Sequence, residues 1–171
     1  MEHLLDACLT GDRKAQEALY RQMSPILFGL CKRYLTKRED AEEVLSNAFV
    51  KIFTKLESFE KKGSFEGWMK KITVRECLNF LRSKQDAFDL DWSGEVAAAA
   101  ENSDEAAFLL ALIQSMPTGY RTVFNLYAIE GYSHEEIASL LSISKGTSKS
   151  QLSKARNYLK QQLPEYRVKQ L

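Results

Sequence analysis

The sequence predicts an all-α protein of two parts, an N-terminal helical bundle and a C-terminal helix-turn-helix domain, joined by an acidic linker. Three observations predict it. Apolar residues recur at helical spacing over most of the 171 residues; the last third carries a capped short helix, a tight break and a longer basic helix; and residues 85–102 lose all periodicity. Alternating apolar and polar segments and β-hairpin turn signals are both missing from the sequence.

The bundle is predicted over residues 1–84. Ser24 followed by Pro25 reads as a helix N-cap with proline in the first turn, opening a helix that carries Ile26, Leu27, Leu30, Cys31 and Tyr34. The cleanest stripe follows: Ala41, Val44, Leu45, Ala48, Phe49, Ile52, Phe53 and Leu56 form one apolar face over four turns. A further helix is expected from Phe65 to Ser83, capped by Ser64. Phe59, Phe65 and Trp68 read as core aromatics before they read as stacking platforms, Trp68 most of all because it sits in one stripe with Phe65, Met69 and Ile72.

Residues 85–102 read as a linker: Gly94, the alanines at 97–100 and scattered acids form no stripe. Helical signal returns at Ser103, with Asp104 and Glu105 suited to a first turn, and Pro117 starts a helix carrying Tyr120, Val123, Phe124 and Tyr127. Ser133 and Glu136 fit a capping box ahead of Ile137, Ala138, Leu140 and Leu141. After a break at 142–144, a helix from about Lys145 or Gly146 to Gln162 turns Leu152, Ala155, Leu159 and Leu163 inward. Its other faces carry Lys145, Lys149, Lys154, Arg156 and Lys160 and no acid, the layout in which a second helix enters a major groove. An ordinary helical hairpin with a solvated basic face has the same pattern.

Charge sharpens the reading. The net charge is +1, but residues 1–84 hold 16 Lys/Arg against 12 Asp/Glu, residues 85–116 hold seven acids and no base, and residues 117–171 hold eight bases against four acids. Two mildly basic parts around an acidic connector point weakly to a nucleic-acid partner. No apolar run approaches the roughly 20 residues that span a bilayer, and the N-terminus carries acid where a signal peptide carries base, so a cytoplasmic protein without membrane insertion is expected. The three widely spaced cysteines, Cys8, Cys31 and Cys77, and two distant histidines suit buried thiols in a reducing compartment, not a metal site. No glycine-rich phosphate loop or nucleophile triad supports an enzyme, and no cofactor is implied.

The residues from Met116-Pro117-Thr118-Gly119-Tyr120-Arg121 to Phe124, from Glu130-Gly131-Tyr132-Ser133 to Ala138, and from Gly146-Thr147-Ser148-Lys149-Ser150 to Lys154-Ala155-Arg156 resemble region 4 of the extracytoplasmic-function (ECF) sigma factors of bacterial RNA polymerase. Asp40-Ala41-Glu42-Glu43-Val44, Ala48-Phe49, then Phe59, Phe65, Trp68, Ile72 and Leu81-Arg82 resemble their region 2. The resemblance covers essentially the whole chain, and two unrelated motif sets stand in the family's order.

It implies a non-enzymatic subunit that directs core polymerase to promoter DNA. Region 2 would dock on the polymerase clamp through the polar side of residues 40–51, chiefly Asp40, Glu43, Asn47 and Lys51. The loop at residues 60–65 and the helix after it would receive the opened downstream element through Lys61, Lys62, Ser64, Lys70, Lys71, Arg75, Asn79 and Arg82. Region 4 would read the upstream element with Lys149, Ser150, Ser153 and Lys154, while Arg121, Thr147 and Arg156 contact phosphate. The linker would thread the polymerase interior or act as a soluble tether, and an anti-sigma factor is an expected partner. Ser46-Asn47, Arg75, Ser148 and Gln151 depart from the family pattern; Gln151 removes a phosphate-contacting arginine and Ser148 an apolar packing group. A different helix-turn-helix regulator would account for the C-terminal third but leave residues 40–82 unexplained.

Overall fold

Asp12 begins the first long helix by accepting hydrogen bonds from the backbone N–H of Lys14 (2.8 Å) and Ala15 (3.4 Å), satisfying donors that a helix start leaves orphaned. In the computed structural model, which describes residues 2–84 and 105–163, this helix, α2, runs from Arg13 to Tyr34 after a short α1 at Glu2–Leu9. Pro25 therefore lies inside a helix and does not start one. The expected N-cap at Ser24 is corrected because Leu19, Met23, Leu27 and Leu30, all buried, carry one stripe across the proline. Burying them, at roughly 1.5–3 kcal/mol each, offsets the lost helical hydrogen bond.

The chain divides into two compact units, Met1–Ser83 and Lys84–Leu171. In the first, α3 (Arg38–Thr54) and α4 (Phe65–Ser83) pack on α2 and on each other, with α1 against α2. Helix α3 buries Ala41, Val44, Leu45, Ala48, Phe49 and Ile52, the stripe read from the sequence, and a 3₁₀ turn at Leu56–Ser58 adds Leu56. Helix α4 begins where expected, the Ser64 hydroxyl accepting from Gly67 N–H at 3.0 Å. Cys8, Cys31 and Cys77 are buried free thiols, and burial, helped by Asp12, raises the Cys8 thiol.

In the second unit α5 (Glu105–Gln114) precedes α6 (Thr118–Phe124), which widens at Asn125–Ile129 into a turn closed by Glu130 N–H on the Asn125 carbonyl (2.9 Å). Then come α7 (His134–Leu141) and α8 (Lys145–Gln162). The capping box of α7 forms in both directions: Ser133 Oγ accepts from Glu136 N–H (3.2 Å) and Glu136 Oε2 from Ser133 N–H (2.8 Å). Ser142 ends α7 in the left-handed region (φ 55°), and Ser144 caps α8 by accepting from Thr147 N–H (2.9 Å). Those two caps, two residues apart, make the turn of a helix-turn-helix. Val123, Leu126, Ile137, Leu152 and Ala155 fill the core beneath it. Among the described residues there is no strand. The expected linker and the helix start at Ser103 lie outside the described residues.

Candidate nucleic-acid interface

In the N-terminal unit, α4 presents a polar stripe because its apolar residues, Met69, Val74, Cys77, Leu78 and Leu81, face inward. Lys71, Arg75, Asn79 and Arg82 follow at spacings of four, four and three, all exposed and so on one helix face. Lys70, on a neighbouring row, is half-buried and paired with Glu66 at 2.6 Å. The loop before α4 carries Lys61, in the left-handed region at φ 55°, and Gly63 at φ 92°. Lys61 pairs with Asp6 of α1 at 3.3 Å and Lys62 with Glu60 at 2.6 Å, all four side chains largely exposed. Such surface pairs contribute little and exchange readily for a phosphate.

Phe59, Phe65 and Trp68 form a triangle with centroid separations of 5.2, 5.5 and 5.7 Å. Phe65 is buried, whereas Phe59 and Trp68 are half-buried, so the core role expected of all three holds fully for Phe65 only. A cavity of about 270 Å³ opens beside them, lined by Leu5, Phe59, Lys61, Gly63, Ser64, Phe65 and Glu66. Its lining combines apolar side chains with Lys61, Ser64 and Glu66, and it has room for a group the size of a nucleobase.

On α3, Glu43 and Asn47 are exposed and Asp40 half-buried along one row. Val50 continues that row and is 62 % exposed; the sequence reading passed over it because a valine at a helical position is usually counted as core. Lys51 is drawn away from the row, donating to Glu76 of α4 at 2.7 Å.

In the C-terminal unit Lys149, Ser150, Ser153, Lys154 and Arg156 are all exposed on α8. Two tyrosines of the preceding segment, missed as site residues because their spacing reads as core, support the cations. Lys154 Nζ lies 5.8 Å from the Tyr120 ring centre and Arg156 Cζ 5.8 Å from that of Tyr127, within cation–π range. Tyr127 stacks on His134 (4.5 Å), whose Nδ1 is 2.9 Å from Ser148 Oγ. Ser148 thus exchanges apolar packing for a buried hydrogen bond that ties α7 to α8. Thr147 is half-buried, its hydroxyl 2.9 Å from Ser144 Oγ.

Two expectations are corrected by burial. Arg121 is 5 % exposed; its guanidinium donates to the carbonyls of Gln114 (2.9 Å) and Met116 (3.0 Å) and to Thr118 Oγ1 (3.4 Å). Burial pushes it down to about 10, still charged at neutral pH. It joins α5 to α6 and does not point at solvent, so the expected phosphate contact has no exposed group to make it. Gln151 is 2 % exposed and lies over Gly119, where a Cβ would come within 3.2 Å of its amide oxygen; position 151 is an inner-face position, not a lost phosphate contact.

Among the described residues no cluster of three His, Cys, Asp or Glu side chains is placed to hold a metal, and no helix is long and apolar enough to cross a membrane. Residues 19–87 match the family model for sigma-70 region 2, and residues 109–159 match that for sigma-70 region 4. The chain is 29 % identical to the ECF RNA polymerase sigma factor SigE of Mycolicibacterium smegmatis, over 92 % of this chain and 66 % of the relative. It is 25 % identical to the ECF RNA polymerase sigma-E factor of Haemophilus influenzae, over 94 % and 93 %. Among solved structures, the sigma factor RpoE of Bartonella quintana, in complex with the anti-sigma factor NepR, shares the fold (TM-score 0.54, 24 % identity, 85 % of this chain and 94 % of that one). With its bundle and its helix-turn-helix both matched, in family order, the chain belongs to the extracytoplasmic-function group of the sigma-70 family, whose members give RNA polymerase promoter recognition and transcription initiation.

Proposed function

We propose that the two units divide promoter recognition along the surfaces described above, in a non-enzymatic cytoplasmic subunit of RNA polymerase. The row Asp40, Glu43 and Asn47 on α3, extended by Val50, docks on core polymerase. Lys61, Lys62 and Ser64 at the aromatic cavity, with Lys70, Lys71, Arg75, Asn79 and Arg82 on α4, receive the opened downstream element. Extruding a base costs a few kcal/mol of stacking, which contacts in the cavity offset. On α8, Lys149, Ser150, Ser153 and Lys154 read base edges, and Arg156 and Thr147 hold phosphates.

The observation that carries this reading is α8: its exposed faces bear Lys145, Lys149, Lys154, Arg156 and Lys160 and no acid, on the second helix of a capped helix-turn-helix. The acidic segment at 85–102 serves as the tether between units. The neighbour from Bartonella quintana is bound to an anti-sigma factor, and we extend that class of partner to this chain. Run-off transcription with the full-length protein and a bacterial core polymerase on a randomised promoter library tests the proposal. Enrichment of two separated sequence elements supports it; a protein that cannot associate with any core polymerase rules it out.

A further inference from the structure

The Lys51 ammonium does not end its chain of contacts at Glu76. Glu76 has a side chain only 11 % exposed, and one oxygen, Oε1, accepts from Lys51 Nζ at 2.7 Å and from Asn79 Nδ2 at 3.3 Å. Asn79 then uses its Oδ1 to accept from Arg82 Nη1 at 3.5 Å. Asn79 and Arg82 are the last two members of the exposed stripe on α4, one and two turns from Glu76. A half-buried carboxylate thus sits directly behind two of the groups assigned to the downstream strand.

From this geometry we infer that Glu76 is a positioning residue for promoter specificity: it fixes which edge of the Asn79 carboxamide faces the DNA. An ionised carboxylate can only accept hydrogen bonds, whereas an asparagine amide has a donating and an accepting end of nearly identical shape. Glu76 therefore compels Asn79 to turn its NH₂ inward, and Arg82, which can only donate, holds the carbonyl on the opposite side. The amide meets a base edge in one orientation out of two. Bases differ in the order of donors and acceptors they present, so an amide held one way discriminates and an amide free to turn over does not. The Lys51 ammonium lies 2.7 Å from the same carboxylate oxygen and ties it to α3.

Two substitutions at position 76 separate this role from a structural one. Glu76→Gln keeps an oxygen that can accept from both Lys51 and Asn79, as Oε1 does now, and so preserves the arrangement. Glu76→Met removes the acceptor and leaves the Asn79 carboxamide free to turn over. The inference rests on the reading that Asn79 and Arg82 face the opened downstream strand, and the experiment tells the two apart. Holoenzyme reconstituted from the full-length protein and a bacterial core polymerase is given fork-junction DNA with a randomised downstream single strand, and retained sequences are counted. Wild type, Glu76→Gln, Glu76→Met, Asn79→Ala and the Glu76→Met/Asn79→Ala double variant are compared. Glu76→Met is expected to lower the base preference at one position by about fivefold or more, the low end of what a paired base-edge contact discriminates, with core affinity unchanged, while Glu76→Gln keeps the wild-type preference. The loss is expected to vanish when Asn79 is already alanine. Uniform weakening by Glu76→Met, or a preference change that persists without Asn79, overturns the inference alone. An Asn79→Ala protein that retains every sequence as wild type does overturns it together with the reading of the α4 stripe.

Discussion

Replacing Arg121 with methionine removes a guanidinium and keeps most of its volume, and the structure sets the consequence. Three hydrogen bonds from a cation are lost, two of them to the carbonyls of Gln114 and Met116. Hydrogen bonds to charged groups contribute roughly 1.5–3 kcal/mol each. Against that stands the desolvation of the guanidinium, whose fall from its ordinary value to about 10 corresponds to roughly 3 kcal/mol. The variant regains that desolvation but leaves two carbonyls short of a donor, at about 1–3 kcal/mol each. The net expectation is a loss of about 2–5 kcal/mol from the C-terminal unit, with Arg121→Lys recovering little because an ammonium cannot reproduce the planar fork. Hydrogen exchange across residues 105–163 reads this directly, as faster exchange in α6 and α8. A methionine variant with unaltered exchange but a salt dependence of DNA binding reduced by about one phosphate contact would refute the reasoning and restore Arg121 as a phosphate ligand.

On α8, Lys149→Ala is expected to lose affinity at one or two upstream base positions, whereas Arg156→Ala weakens all sequences and lowers the salt slope by about 0.9; binding to a randomised upstream element across a salt series checks both. Pro25→Ala, at an exposed position inside α2, is expected to stabilise the N-terminal unit by about 1–3 kcal/mol by restoring a helical donor, measured by urea unfolding followed through Trp68. Glu135 is held below the usual carboxylate range by its hydrogen bond to Lys145, so its stabilising contribution is present above about pH 4.5 and is lost as pH falls through the lowered value. Glu135→Gln is accordingly expected to flatten the acid limb of the C-terminal unit's stability curve, read by circular dichroism from pH 6 down to 3.

What was legible in the sequence was whatever local chemistry decides alone. The Ser133–Glu136 box, the Ser64 cap and the stripe from Ala41 to Ile52 each depend on residues within a few positions, and each stands as expected. Ser24-Pro25 failed because a local start signal was weighed without the stripe that crosses it: Met23 and Leu27, both fully buried, bind the two halves into one helix. The site was harder to read for a related reason. Exposed cations on α8 follow from helical periodicity, but whether a long polar side chain points outward depends on the neighbouring helix. Arg121 matches the family's pattern and Gln151 departs from it, yet both lie inside, because the packing of the C-terminal unit closes over them. Glu76 was invisible in the sequence, since its partner Lys51 is 25 residues away and on another helix.

The loop ahead of α4 poses a separate question, why a lysine occupies a left-handed backbone position at 61. A non-glycine residue there pays roughly 1–2 kcal/mol, and Lys61 stands at φ 55° with its ammonium only 3.3 Å from an exposed carboxylate of Asp6. A surface pair of that kind returns less than about 1 kcal/mol, so the pair does not account for the residue. The cavity offers a reason: Lys61 lines it together with Phe59, Ser64 and Phe65, and the left-handed residue lies in the loop that forms its wall. Lys61→Gly relaxes the backbone and removes the charge. The bundle is then expected to be as stable as before or slightly more so, while binding of single-stranded downstream DNA by the holoenzyme falls several-fold and becomes less sensitive to salt. Asp6→Asn, which frees the ammonium without touching the loop, is expected to shift binding the opposite way. Should Lys61→Gly instead destabilise the bundle and leave DNA binding intact, the lysine is holding α1 in place and the cavity is not its purpose.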